Sequence, residues 1–119
     1  MSMLTIRKVL DEKPEIVVER LMKALKDHGF KSVAEVAVSE IVKSKLGKDM
    51  EFYKIFYICN PKDFYELSNE FYEVGSFAPC PVVVYEKEGK TTVVINVCDE
   101  MVSILEEPLS RAKKAVESL

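Results

Sequence analysis

Cys59, Cys80 and Cys98 are the side chains in this sequence best suited to nucleophilic, redox or metal chemistry, and His28 is the single histidine available to assist them. Cys59 ends an aromatic and β-branched run directly before Asn60-Pro61, where a helix start offers unpaired N–H groups and a positive dipole end to a thiolate. Cys80 is held between Pro79 and Pro81, so its backbone is stiff and its side chain points one way, which suits a ligand, a nucleophile or a structural turn. Free cysteine is more often a small buried hydrophobe than a reactive group, and that reading stands beside the reactive one at each position.

A Cys₃His zinc set would need all four residues in one tetrahedron. Zinc motifs pair ligands about two to four residues apart, and none of these is so paired, so no metal site is expected. His28 has a simpler use, as an imidazole interacting with the last carbonyls of a helix. A lone histidine leaves no Ser-His-Asp or Cys-His arrangement legible from spacing. Lys45-Leu46-Gly47-Lys48 lacks the several glycines of a phosphate cradle. The acid pairs Asp99-Glu100 and Glu106-Glu107 lie near helix starts, where they act as cap and dipole residues. No catalytic residue is assigned, and the cofactor and enzymatic activity stay open questions.

Aromatic residues offer a different chemistry. Phe52, Tyr53, Phe56, Tyr57, Tyr65, Tyr72 and Phe77 crowd the middle third of the chain, so an apolar pocket or interface is built there if anywhere, core packing being the plainer alternative. The candidate binding residues are therefore Tyr53, Tyr57 and Phe77, with Cys59, Asn60 and Cys80.

The elements that must position these residues are short and mixed. Leu4 to Val9 alternates as a half-buried strand. Pro14 opens a helix whose stripe is Val17, Leu21, Ala24, Leu25 and His28, stopped by Gly29. Val33 to Val38 reads as a strand, followed by a helix from Glu40 to Leu46 with Ser39 as N-cap and Gly47 as stop. Phe52 to Cys59 is apolar on both faces, the pattern of a central strand covered twice.

Asn60-Pro61 then starts a helix to about Asn69, with Phe64 and Leu67 inward. Phe71 to Pro81 is an apolar loop without a clean period, interrupted by Gly75, Pro79 and Pro81. Val82 to Glu86 and Thr91 to Val97 flank a glycine turn as an antiparallel hairpin. A short helix around Asp99 to Leu105 and an amphipathic one carrying Leu109, Ala112, Ala115, Val116 and Leu119 complete the chain. The order β-α-β-(α)-β-α-β-β-α places helices on one face of a mainly antiparallel sheet, and the other face then needs cover, which a second copy can supply.

The 119 residues form one α+β domain, 1–119, with 48% hydrophobic and 31% charged residues and no repeat or linker. No apolar run is long enough to span a bilayer, so no membrane partner is expected. Three widely spaced cysteines fit free thiols in the cytoplasm rather than a disulfide framework. A net charge of -3 argues against nucleic acid as a partner, and the Lys43, Lys45 and Lys48 group is interleaved with Glu40, Asp49 and Glu51.

Several strings taken together resemble the prokaryotic domain of unknown function 302 family across nearly the whole chain. They are Glu35-Val36-Ala37-Val38 leading to Lys45-Leu46-Gly47, Tyr53-Lys54-Ile55 leading to Cys59-Asn60-Pro61, and Pro79-Cys80 followed by Val82-Val83-Val84-Tyr85-Glu86. The resemblance implies a β-α-β(4)-α core of the TATA-binding-protein-like class, a tendency to dimerise, and recurrent positions for Cys59 and Cys80, without an activity. Two departures stand out: Pro81 replaces the Asn usual after the second cysteine, and Val97-Cys98 replaces an Asp-Pro after the last strand.

The leading expectation is a non-enzymatic small-ligand-binding or protein-interaction homodimer, in which strand Phe52 to Ile58 and loop Phe71 to Pro81 line a seam or pocket. The alternative is a thiol-dependent redox, sulfur-transfer or metal-binding role using Cys59 and Cys80.

Overall fold

The computed structural model describes residues 3–76, 80–98 and 111–119. Five strands, β1 (Met3–Leu10), β2 (Lys31–Ala37), β3 (Tyr53–Cys59), β4 (Cys80–Lys87) and β5 (Lys90–Cys98), form one sheet in the order β1-β5-β4-β3-β2. Every neighbouring pair is antiparallel. The helices are α1 (Pro14–Asp27), α2 (Val38–Leu46), α3 (Pro61–Glu70) and α4, whose described part is residues 111–117. The sheet thus has four strands in sequence between α1 and α4, with α2 and α3 inserted among them.

Alternation along the strands sorts side chains onto two faces. Phe56, Ile58, Val82, Val84, Val93 and Ile95 point to one side, all at most 2% exposed, and meet Val17, Leu21 and Leu25 of α1 and Ala112, Ala115 and Val116 of α4. This is the core. Each large side chain so enclosed stabilises by roughly 1.5–3 kcal/mol relative to an exposed one. The hydroxyl of Thr91, buried beside this layer, donates to the carbonyl of Glu12 at 2.7 Å, whereas the buried Ser32 hydroxyl, on the residue paired with Ile58, has no hydrogen-bond partner among the described residues.

Helix α1 stops as its sequence requires. Phe30 N–H reaches Leu25 O at 2.8 Å and Gly29 N–H reaches Lys26 O at 3.0 Å, with Gly29 at φ 85°, the left-handed C-terminal motif. His28 donates through Nδ1 to Ala24 O at 2.7 Å, the carbonyl contact expected of it.

Some local expectations are corrected. The second helix begins at Val38, and Ser39 does not cap it; its hydroxyl accepts from Tyr53 N–H at 3.2 Å and donates to Tyr53 O at 3.4 Å, tying α2 to the start of β3. Strand β2 starts at Lys31 and carries a bulge between Ser32 and Ala34. Among the described residues β3 is enclosed more fully on one side than on the other: Phe56 and Ile58 are buried, whereas Tyr53, Ile55 and Tyr57 are half-buried on the opposite face. The apolar connection after α3 contains a 3₁₀ helix, Tyr72–Ser76, and Cys80-Pro81 already belong to β4. The expected helix from Asp99 to Leu105, and Phe77, lie outside the described residues.

Candidate functional site

The predicted site residues converge on β3 and its flanks but not on one point. Tyr53 and Tyr57 stand on the sheet face opposite the α1 and α4 core, and Tyr53 stacks across the strand pair on Tyr85, ring centroids 5.9 Å apart and planes 18° from parallel. Such a pair adds about 0.5–1.5 kcal/mol beyond area burial. Around it Ile55, Val83, Val94 and Val36 are half-buried, and Val9 on β1 is 52% exposed.

Asn60 caps α3: its Oδ1 accepts from Asp63 N–H at 3.1 Å. The same side chain lies against Gly29, where a Cβ would come 2.9 Å from Asn60 Nδ2. The left-handed backbone and this close approach both require glycine there. Arg111 of α4 pairs with Asp63, so the first turn of α3 is fastened to the terminal helix.

The thiols lie at the adjoining ends of β3 and β4, where Ile58 pairs with Cys80. Both are half-buried and free. Burial pushes the Cys59 thiol up from its ordinary 9.0, and the nearby Asp63 carboxylate pushes the same way. Burial raises Cys80 as well, and the neighbouring Cys59 adds to it. Burial and the Asp63 carboxylate both act on Cys59 in the sense opposite to the thiolate stabilisation that a helix start supplies. Cys80 packs against both the main core and a smaller cluster in which Val74, fully buried, meets Ile6, Phe64, Leu67 and Phe71. The connection between α3 and β4 thus buries Val74 within its own chain rather than awaiting a partner.

Among the described residues no three His, Cys, Asp or Glu side chains stand together as metal ligands, and no helix is long and apolar enough to cross a membrane. Lys43 pairs with Asp49 at 2.7 Å, in keeping with a mixed surface at the lysine group.

A cleft of about 720 Å³ opens between α3 and the 3₁₀ helix. The helix contributes Pro61, Phe64, Tyr65, Ser68 and Asn69, spaced as one helical stripe, while Cys59, Tyr72 and Gly75 complete the wall. Of the described binding candidates Cys59 lines it, together with Tyr65 and Tyr72 from the aromatic group of the middle third. The stripe was the available signal for the rest, but the inward positions Phe64 and Leu67 gave no reason to expect a cleft on their flank.

A model of the family described as domain of unknown function DUF302 matches residues 6–119. The chain belongs to the DUF302 family. A crystal structure of an uncharacterized conserved DUF302 protein from Bacillus stearothermophilus is similar, with a TM-score of 0.76 and 27% identity over 98% of this chain and 90% of that one. No curated protein matches. Family membership agrees with the α+β, antiparallel architecture expected from the strings around Cys59 and Cys80, and it brings no reaction with it.

Proposed function

We propose that this DUF302 domain is a non-enzymatic interaction module that works as a symmetric homodimer, two copies stacking the sheet faces opposite their α1 and α4 cores. The observation that carries this reading is the contrast across one sheet. On the helix side Phe56, Ile58, Val82, Val84, Val93 and Ile95 are enclosed to within 2% exposure, while on the other Tyr53, Ile55, Tyr57, Val83, Tyr85 and Val94 remain half-buried around a buried Thr92. Away from the strand ends, Arg7 is the one charged side chain among the described residues of that face.

Size supports it too. Five strands of 7 to 9 residues make a face whose sides are each about 24 Å, on the order of 600 Å² in projection. A standard interface uses about 800 Å² of accessible surface per partner, which a pleated face of this projection supplies. A two-fold arrangement is closed, so stacking ends at two copies.

Raised thiol pKa values favour the protonated, packing form of Cys59 and Cys80, so the thiol-dependent alternative stands second. The free thiols support a reducing, cytoplasmic setting.

Sedimentation velocity tests the reading. The expected species has twice the 13.6 kDa of the chain, and Ile55→Lys with Val83→Lys, placing charge at the middle of the face, returns it to one chain with its helical signal kept. A wild-type chain that stays single at its highest soluble concentration overturns the proposal.

A further inference from the structure

We infer that the cleft between α3 and the 3₁₀ helix, at the end of β3, binds a small uncharged aromatic compound, at a wall that includes none of Tyr53, Ile55, Tyr57 or Val83 of the proposed dimer face. The fold leaves Tyr65 68% and Tyr72 90% exposed beside this cleft, two large rings kept in water although the chain encloses Val74 in the same region completely. A volume of about 720 Å³ lies within the range of roughly 300–1,000 Å³ in which small-molecule sites fall.

The chemistry of the wall sets the ligand class. Among the described residues no Asp, Glu, Lys or Arg lines it, although Lys62, Asp63, Glu66 and Glu70 occupy the same helix. None of the four lines the cleft and Asp63 is paired with Arg111, so an ionic ligand would leave water without gaining a countercharge. Cys59 adds a thiol to the wall, pushed up by burial and by the nearby Asp63 carboxylate. The Tyr65 and Tyr72 rings offer π-faces for stacking, and their hydroxyls together with the Asn69 amide offer a few oriented polar contacts.

Two probes sharing one ring system separate this from unspecific greasiness: neutral N-phenyl-1-naphthylamine and the anion 8-anilinonaphthalene-1-sulfonate. Fluorescence titration is expected to saturate at one neutral probe per chain and to show affinity about tenfold weaker for the sulfonate. Tyr65→Ala and Tyr72→Ala each weaken the neutral probe about fivefold or more, whereas Leu46→Ala, at an exposed position of α2 outside the cleft wall, leaves it unchanged. Both cleft tyrosines are exposed, so their removal leaves the fold intact. In the unaltered protein, the neutral probe slows alkylation of Cys59 by N-ethylmaleimide, read by peptide mass spectrometry. Equal affinity for the two probes, equal binding by the tyrosine variants, or an unprotected Cys59 overturns the inference. Because the titration is per chain, a monomer that binds the neutral probe in this way removes the dimer and keeps the cleft.

Discussion

The two faces of the sheet are built from the same strands and nearly the same residue types, yet they have opposite fates. On one, Phe56, Ile58, Val82, Val84, Val93 and Ile95 are sealed by α1 and α4. On the other, Tyr53, Ile55, Tyr57, Val83, Tyr85 and Val94 stay half-buried. Apolar content therefore does not say which side of a strand a chain will close. Connectivity does, because the helices following β1 and β5 can lie against only one side at a time, and what remains on the other is surface available for association.

The largest effect that sharpens this contrast is the neighbouring pair Phe56 and Tyr57. Urea unfolding should show Phe56→Ala losing about 3–5 kcal/mol through a core cavity. Tyr57→Ala should lose less than about 1 kcal/mol when measured dilute, where no second copy contributes. Equal losses would mean that the second face is as closed as the first.

Next comes the joint that holds the helices on the closed face. Gly29→Ala forces a side chain into the left-handed region and toward Asn60 Nδ2, and should cost roughly 1–3 kcal/mol in thermal or urea unfolding. Asn60→Ala removes the cap of α3 and should cost about 1 kcal/mol, with Asn60→Asp recovering most of it. If Gly29→Ala proved harmless, the close packing of the α1 stop against the α3 cap would be wrong.

Alkaline pH probes the thiols at the end of both faces. Raised pKa values mean that the folded chain holds its thiol protons longer than the unfolded chain does. Stability is unaffected below the unfolded value and falls as pH rises above about 9. A Cys59→Ser, Cys80→Ser pair should flatten that fall in melts across this range. An unchanged slope would return the thiols to solvent-like surroundings.

The smallest expected effect concerns the hairpin that sets the register between the central strands. Lys87 pairs with Lys90 across Glu88-Gly89, and both turn residues have positive φ, 55° and 80°. Asn tolerates that first position better than Glu, so Glu88→Asn should raise stability by about 0.5 kcal/mol in urea unfolding. A loss instead would mean that the Glu88 side chain makes a contact worth more than its backbone strain.

Much of the fold was legible because local chemistry decided it. Pro14 and Gly29 bracket α1, Asn60-Pro61 starts α3, and Gly89 marks the hairpin, each through a backbone preference that neighbours do not overrule. Ser39 misled because a hydroxyl near a helix start can serve either the helix or a passing strand, and only the approach of Tyr53 decides. The site was less legible for a related reason. Cys59 before a helix start reads as an activated thiol, but its ionisation depends on burial and on Asp63, and the charge-free cleft depends on where the 3₁₀ helix folds back beside α3.

What the sequence by itself determined is the set of elements, their order, and the presence of more apolar strand surface than one pair of helices can cover. Tertiary structure decided which face is closed, that Val74 is enclosed while Tyr72 is not, and that Cys59 borders a cleft rather than an exposed helix end. The division follows from range. Turns, caps and periodicity are set within a few residues, whereas burial and proton affinity are set by whichever distant side chains the chain brings alongside.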